Sequence, residues 1–109
     1  IDRADGAVAH LYDPLHPAVL RLISHTIQTS IKAEIPVTVC GEMAGDPALT
    51  ALLLGMGLRQ FSMHPAQMLE VKQQVVKADC EQLAGRVARV LKSDDSERIK
   101  DMVEKLWLA

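Results

Sequence analysis

The order of elements constrains this chain most: helix, strand, helix, strand, helix, with only two short strand-like runs in 109 residues. Alternating helices and short apolar strands imply parallel pairing with helical crossovers. A parallel sheet is covered on both faces and needs several strands, so two alone would leave edges and an apolar face open. The chain therefore reads as part of a larger α/β architecture.

The boundaries follow from local chemistry. Asp13-Pro14-Leu15-His16-Pro17 excludes helix until its second proline, and Pro17 suits a first helical position. Val19, Leu20, Ile23, Ile27 and Ile31 then recur at helical spacing, predicting an amphipathic helix to Lys32 or Ala33. Residues 35–40 read as a buried strand. Asp46-Pro47 is an N-cap followed by proline, opening a helix that carries Leu49, Leu52, Leu53 and Leu54 before Gly55 and Gly57 end it. Residues 59–63 form the second strand-like run. His64-Pro65 starts the next helix, with Met68, Leu69, Val71, Val75 and Val76 on its apolar side.

Two further helices open with capping-box signatures, Asp79-x-x-Gln82 and Asp94-x-x-Glu97. Leu83, Val87, Val90 and Leu91 stripe the first; Ile99, Met102, Val103 and Leu106 stripe the second. They read as a helical hairpin packed on the outside. The simplest architecture is the last quarter or so of a (β/α)8 barrel, or of a comparable open sheet, followed by this hairpin.

Composition narrows the function. With 49% hydrophobic residues the chain is suited to one domain with a small core. Lys+Arg 12 against Asp+Glu 14, without a basic cluster, argues against nucleic acid or an anionic membrane as partner. The aromatic residues Tyr12, Phe61 and Trp107 are too few for a base-stacking surface. Cys40 and Cys80, without other cross-linking signatures, imply reduced thiols and a cytoplasmic setting. The charged opening Ile-Asp-Arg-Ala-Asp is no signal peptide, and the apolar run 48–58 is far short of the roughly 20 residues of a membrane span. Lacking an initiating methionine, the chain is expected to be a fragment.

The stretch Cys40-Gly41-Glu42-Met43-Ala44-Gly45-Asp46 carries the chemistry. It places a thiol where the first strand ends, and strand ends that open into glycine loops are where parallel α/β proteins keep their reactive groups. Free cysteine is also a common small core hydrophobe. The following Gly-Glu-x-x-Gly-Asp, a poor continuation for a purely structural strand, favours the reactive reading. Gly41 and Gly45 suit a tight loop over a substrate or an ordinary turn, and Asp46 suits an N-cap. His64 reads as a helix cap. His10, His16 and His25 have no metal-ligand spacing, Cys80 reads as an inert helix residue, and Met43, Met56, Met63, Met68 and Met102 read as core filling.

Leu11-Tyr12, Pro14, His16-Pro17-Ala18-Val19-Leu20, the CGEMAGD block, Leu52-Leu53-Leu54-Gly55-Met56-Gly57-Leu58 and Phe61-Ser62-Met63 together resemble a known family over nearly the whole chain. It is the C-terminal end of enzyme I of the bacterial phosphotransferase system, the phosphoenolpyruvate-protein phosphotransferases. The resemblance implies the C-terminal fragment of a phosphoenolpyruvate-binding TIM barrel over residues 1–78, with its last two strands and their helices, and a helical tail over 79–109. It implies that Cys40 protonates the enolate left when phosphoenolpyruvate loses its phosphoryl group, giving pyruvate. Arg3 matches the arginine that contacts the substrate phosphate, while Gly41 and Glu42 fall in the substrate loop, where Glu42 assists the cysteine or orders the loop.

A guanidinium fork suits phosphate, and a thiol is mostly protonated at neutral pH and so able to give up a proton. The resemblance further implies Mg2+ held by residues outside this chain, and a histidine acceptor in a separate domain that passes phosphate to a phosphocarrier protein for sugar uptake. It also implies a homodimer, and an isolated fragment without activity. The alternatives are the related barrel ends of pyruvate phosphate dikinase or phosphoenolpyruvate synthase, and a non-catalytic assembly or regulatory module.

Overall fold

The computed structural model describes residues 4–107. A 3-10 turn at Ala9–Leu11 precedes α1 (Pro17–Lys32) and the short α2 (Glu42–Gly45). A 3-10 turn at Pro47–Leu49 leads into α3 (Thr50–Gly55), and another at Pro65–Gln67 leads into α4 (Met68–Val76). The chain continues with α5 (Cys80–Leu91) and α6 (Ser96–Glu104).

Three helical segments begin in the same way. His16, Asp46 and His64 each precede a proline at the first position, and each side chain accepts the backbone N–H two residues on. Proline's missing N–H costs nothing there, and the cap satisfies one of the donors that a helix start leaves free. Asp79 caps α5 by accepting from Gln82 N, as its sequence signature predicts. The cap of α6 lies one residue later than predicted: Asp95 accepts from Glu97 N and Arg98 N. Asp94 is instead ion-paired with Arg21, whose guanidinium also donates to the carbonyls of Leu91 and Ser93 at 3.2 and 3.3 Å. That arginine on α1 thereby satisfies the open carbonyl end of α5.

The expected strands are reduced to a single contact. Among the described residues the only strand pairing is one isolated parallel bridge, Val39 to Phe61, so an α/β sheet is replaced by a helical structure crossed by two extended segments. Val39 N donates to Gln60 O at 3.3 Å and Ser62 N donates to Val39 O at 2.9 Å. Among the described residues neither segment has a second strand neighbour, and a parallel ladder without flanking strands has nothing to propagate it. The run at 35–40 is buried on one side only: Val37 and Val39 pack on the core, whereas Thr38 and Cys40 face outward and Ile35 is 62% exposed.

The core is a helical one centred on α3. Ala51, Leu52, Leu53 and Leu54 are all buried, joined by Leu20 and Ile27 of α1, by Leu83, Val87 and Val90 of α5, and by Ile99 and Val103 of α6. Each of these Leu, Ile and Val side chains removed from water contributes about 1.5–3 kcal/mol. Gly55 is the last residue of α3, as predicted, and it also packs closely against α5. A Cβ there would stand 2.8 Å from the Leu83 carbonyl oxygen and 2.9 Å from Val87 Cβ. Gly57 makes the stop, at φ +105, with Leu58 N donating to Leu53 O and Gly57 N to Leu54 O.

Two predicted apolar faces are left partly uncovered. On α1, Val19 and Ile31 are exposed although they share the predicted stripe. On α4 only Val71 is buried, while Leu69 is 69% and Val76 78% exposed. Helical periodicity marks a face that prefers burial, but the described residues cover these two only in part.

Candidate functional site

The segment around Cys40 is built from its backbone outward. The Val39–Phe61 bridge holds the chain immediately before the cysteine. Gly41 then takes φ 80 and ψ −157, a region essentially restricted to glycine, although a Cβ there would meet nothing within 4 Å. The glycine at that position serves the backbone angle rather than space. Its carbonyl accepts Gly45 N at 3.1 Å, closing α2 as a single turn. Asp46 ends the loop as the predicted N-cap, Oδ1 accepting Ala48 N at 2.9 Å.

Cys40 is exposed among the described residues. It lines a cleft of about 380 Å3 together with Gly41, Glu42 and Met43. The opposite wall is the segment that leads into α1: Leu11, Tyr12, Asp13 and Pro14, with Val19 above them. Asp13 shapes this wall, since its Oδ1 accepts Leu15 N at 3.1 Å and its carbonyl accepts His16 N at 3.2 Å.

Three of the four residues singled out in the sequence, Cys40, Gly41 and Glu42, thus share one cleft. Arg3 lies outside the described residues. The wall that sequence reasoning gave no role in a site is Leu11, Tyr12 and Asp13, of which Leu11 and Tyr12 entered only through the resemblance. Tyr12, one of few aromatic residues and adjacent to an Asp-Pro pair, was the available signal.

The cleft's chemistry is one-sided. Its lining holds a thiol, the carboxylates Asp13 and Glu42, and apolar flanks from Leu11, Val19 and Met43, with no cationic side chain among the described residues. An anionic ligand needs positive charge from Arg3 or from further chain. Among the described residues no three His, Cys, Asp or Glu side chains are grouped to hold a metal ion. Asp13 and Glu42 alone do not make the oxygen set that a Mg2+ site requires. No helix of the structure is long and apolar enough to cross a membrane. Of the remaining histidines, His64 is the cap of the turn before α4, as read from sequence, and His16 caps α1 in the same manner.

Among the described residues, a thiol stands at the head of a glycine turn on a helical scaffold crossed by two extended segments. Comparison with known proteins makes the class specific. The family model described as PEP-utilising enzyme, PEP-binding domain, matches residues 1–80. A phosphoenolpyruvate-protein phosphotransferase of Cupriavidus necator is 64% identical over 97 residues, covering 89% of this chain and 17% of that protein. Proteins of the same name are 39% identical over 106 residues in Geobacillus stearothermophilus and 35% identical over 106 residues in Mycoplasma pneumoniae, each covering 97% of this chain and 18% of the relative. The chain belongs to the PEP-utilising enzymes, of whose PEP-binding domain it is a part. It spans less than a fifth of the length of these curated relatives.

Proposed function

We propose that this chain is the C-terminal end of the phosphoenolpyruvate-binding (β/α)8 barrel of a phosphoenolpyruvate-protein phosphotransferase, with residues 1–78 completing the barrel and 79–109 forming a helical tail. The parallel Val39–Phe61 bridge is the remnant of pairing between the last two strands, whose other partners lie in chain outside this sequence. The observation that carries the reading is Cys40, exposed at the head of the Gly41 turn and facing a cleft rather than the core.

In this reading phosphoenolpyruvate loses its phosphoryl group to a histidine in another domain, which passes it to a histidine-containing phosphocarrier protein for sugar uptake. The C–O–P bond breaks at phosphorus and leaves the enolate of pyruvate. The Cys40 S–H gives its proton to the methylene carbon, forming the methyl group, and the thiolate recovers a proton from solvent, to which it is open. Arg3 offers its guanidinium fork to the phosphate, and Gly41 and Glu42 shape the floor beside the thiol. Mg2+, when bound, neutralises phosphate charge from ligands elsewhere in the longer protein. The protein is cytoplasmic and acts as a homodimer. The names of the relatives favour this reading over the dikinase and synthase barrels and over a non-catalytic module. Because the acceptor histidine and the Mg2+ ligands belong to other parts of the longer protein, the isolated chain does not turn over phosphoenolpyruvate.

The test is Cys40→Ser in the full-length protein, assayed for pyruvate released from phosphoenolpyruvate. A fall of about 10²–10⁴-fold in turnover, with substrate binding and melting temperature retained, is expected for loss of a general acid. Near-normal turnover would show Cys40 to be structural.

A further inference from the structure

The turn that opens α4 reaches across to the loop carrying Cys40. Gly45, the last residue of α2, is buried, and the half-buried Gln67 lays its carboxamide against it. A methyl group on Gly45 would stand 2.5 Å from Gln67 Cδ and 2.8 Å from Nε2, closer than van der Waals contact allows. A side chain at Gly45 and Gln67 in this position exclude one another. The two loop glycines therefore do different work: Gly41 supplies a backbone angle, and Gly45 supplies room for a specific neighbour.

The same second segment, residues 61–67, holds the cysteine loop at both ends. At the base, Phe61 is bridged to Val39, one residue before Cys40. At the far end, Gln67 covers Gly45, whose N–H closes the turn onto Gly41 O. His64 sets the turn from which Gln67 projects, through its cap on Ala66 N and its carbonyl, which accepts Gln67 N at 2.9 Å.

We propose that Gln67 is a positioning residue for Cys40, clamping α2 through Gly45 so that the thiol keeps its place in the cleft. The proposal rests on the assignment of Cys40 as proton donor. Its contact is one of packing, so the length of the side chain matters more than its polarity.

The experiment compares Gln67→Ala, Gly45→Ala, the double variant and Gln67→Met in the full-length protein, with Cys40→Ser alongside. Because misplacing a reacting group by about 1 Å costs up to about 100-fold, each single alanine variant is expected to lower kcat for pyruvate formation by about 10–100-fold. KM should change by less than about threefold, since binding is not what the clamp provides. The double variant should be no worse than either single, because both remove one contact. Gln67→Met, of similar length, should restore turnover, and melting temperatures should stay together. Normal turnover in Gln67→Ala overturns the proposal, as do losses that multiply in the double variant or a defect that tracks melting temperature and persists in Gln67→Met. If Cys40→Ser itself turns over normally, the proton-donor assignment fails. If only Cys40→Ser is inactive, the clamp alone fails.

Discussion

Glu34 and Gly57 occupy equivalent places with unequal comfort. Both follow a helix at positive φ, 58 for Glu34 and 105 for Gly57, and in both the next residue's N–H reaches back to close the helix end. A side chain in that region costs about 1–2 kcal/mol that glycine avoids, partly offset by glycine's greater freedom in the unfolded chain. Glu34→Gly is therefore expected to stabilise the chain by about 0.5–1 kcal/mol, read from the urea midpoint. Thr50 is the second such residue: it is completely buried, and its hydroxyl has no hydrogen-bond partner among the described residues. An unsatisfied buried hydroxyl costs about 1–3 kcal/mol, so Thr50→Val should raise stability by about 1 kcal/mol in the same measurement. A destabilised Thr50→Val would mean that the hydroxyl is bonded after all.

At the scale of elements, α3 and α5 are the pair on which the rest is hung. Their approach at Gly55 leaves no room for a Cβ against backbone, because the obstructing Leu83 carbonyl cannot rotate away as a side-chain tip can. Gly55→Ala is expected to cost about 1–3 kcal/mol through forced separation of the two helices, visible as a lowered melting temperature with secondary structure retained. Helix-scale reading of the sequence succeeds where capping chemistry and spacing act locally: α1 ends at Lys32, α5 begins after Asp79, and Asp46 and His64 cap as predicted. It fails where the deciding partner is distant. Asp94 was eligible to cap α6, but Arg21, far away in sequence, holds it and leaves the cap to Asp95.

At the scale of the whole molecule, the described residues leave apolar surface open on α4 and beside residue 35. The chain spans less than a fifth of its curated relatives' length, and uncovered apolar surface of this kind favours association. Alone, the 109-residue chain is expected to self-associate with rising concentration, and Leu69→Lys combined with Val76→Lys should shift it toward monomer in sedimentation velocity. Concentration-independent monomer in the unaltered chain would show those faces to be tolerated in water.

What the sequence determined unaided was local and chemical. It set the caps that precede prolines, the helical stripes, the glycine turn after Cys40, and the family wording that marks the cysteine. These depend on a few adjacent residues and on backbone angles. Only the tertiary structure decided that the strand-like runs meet at a single bridge, that Gly55 packs against α5, that Tyr12 and Asp13 wall the cleft, and that Gln67 covers Gly45. Each of these joins segments distant in the chain, and which distant segments meet depends on which apolar faces find cover, a property of the assembled core that no local pattern encodes.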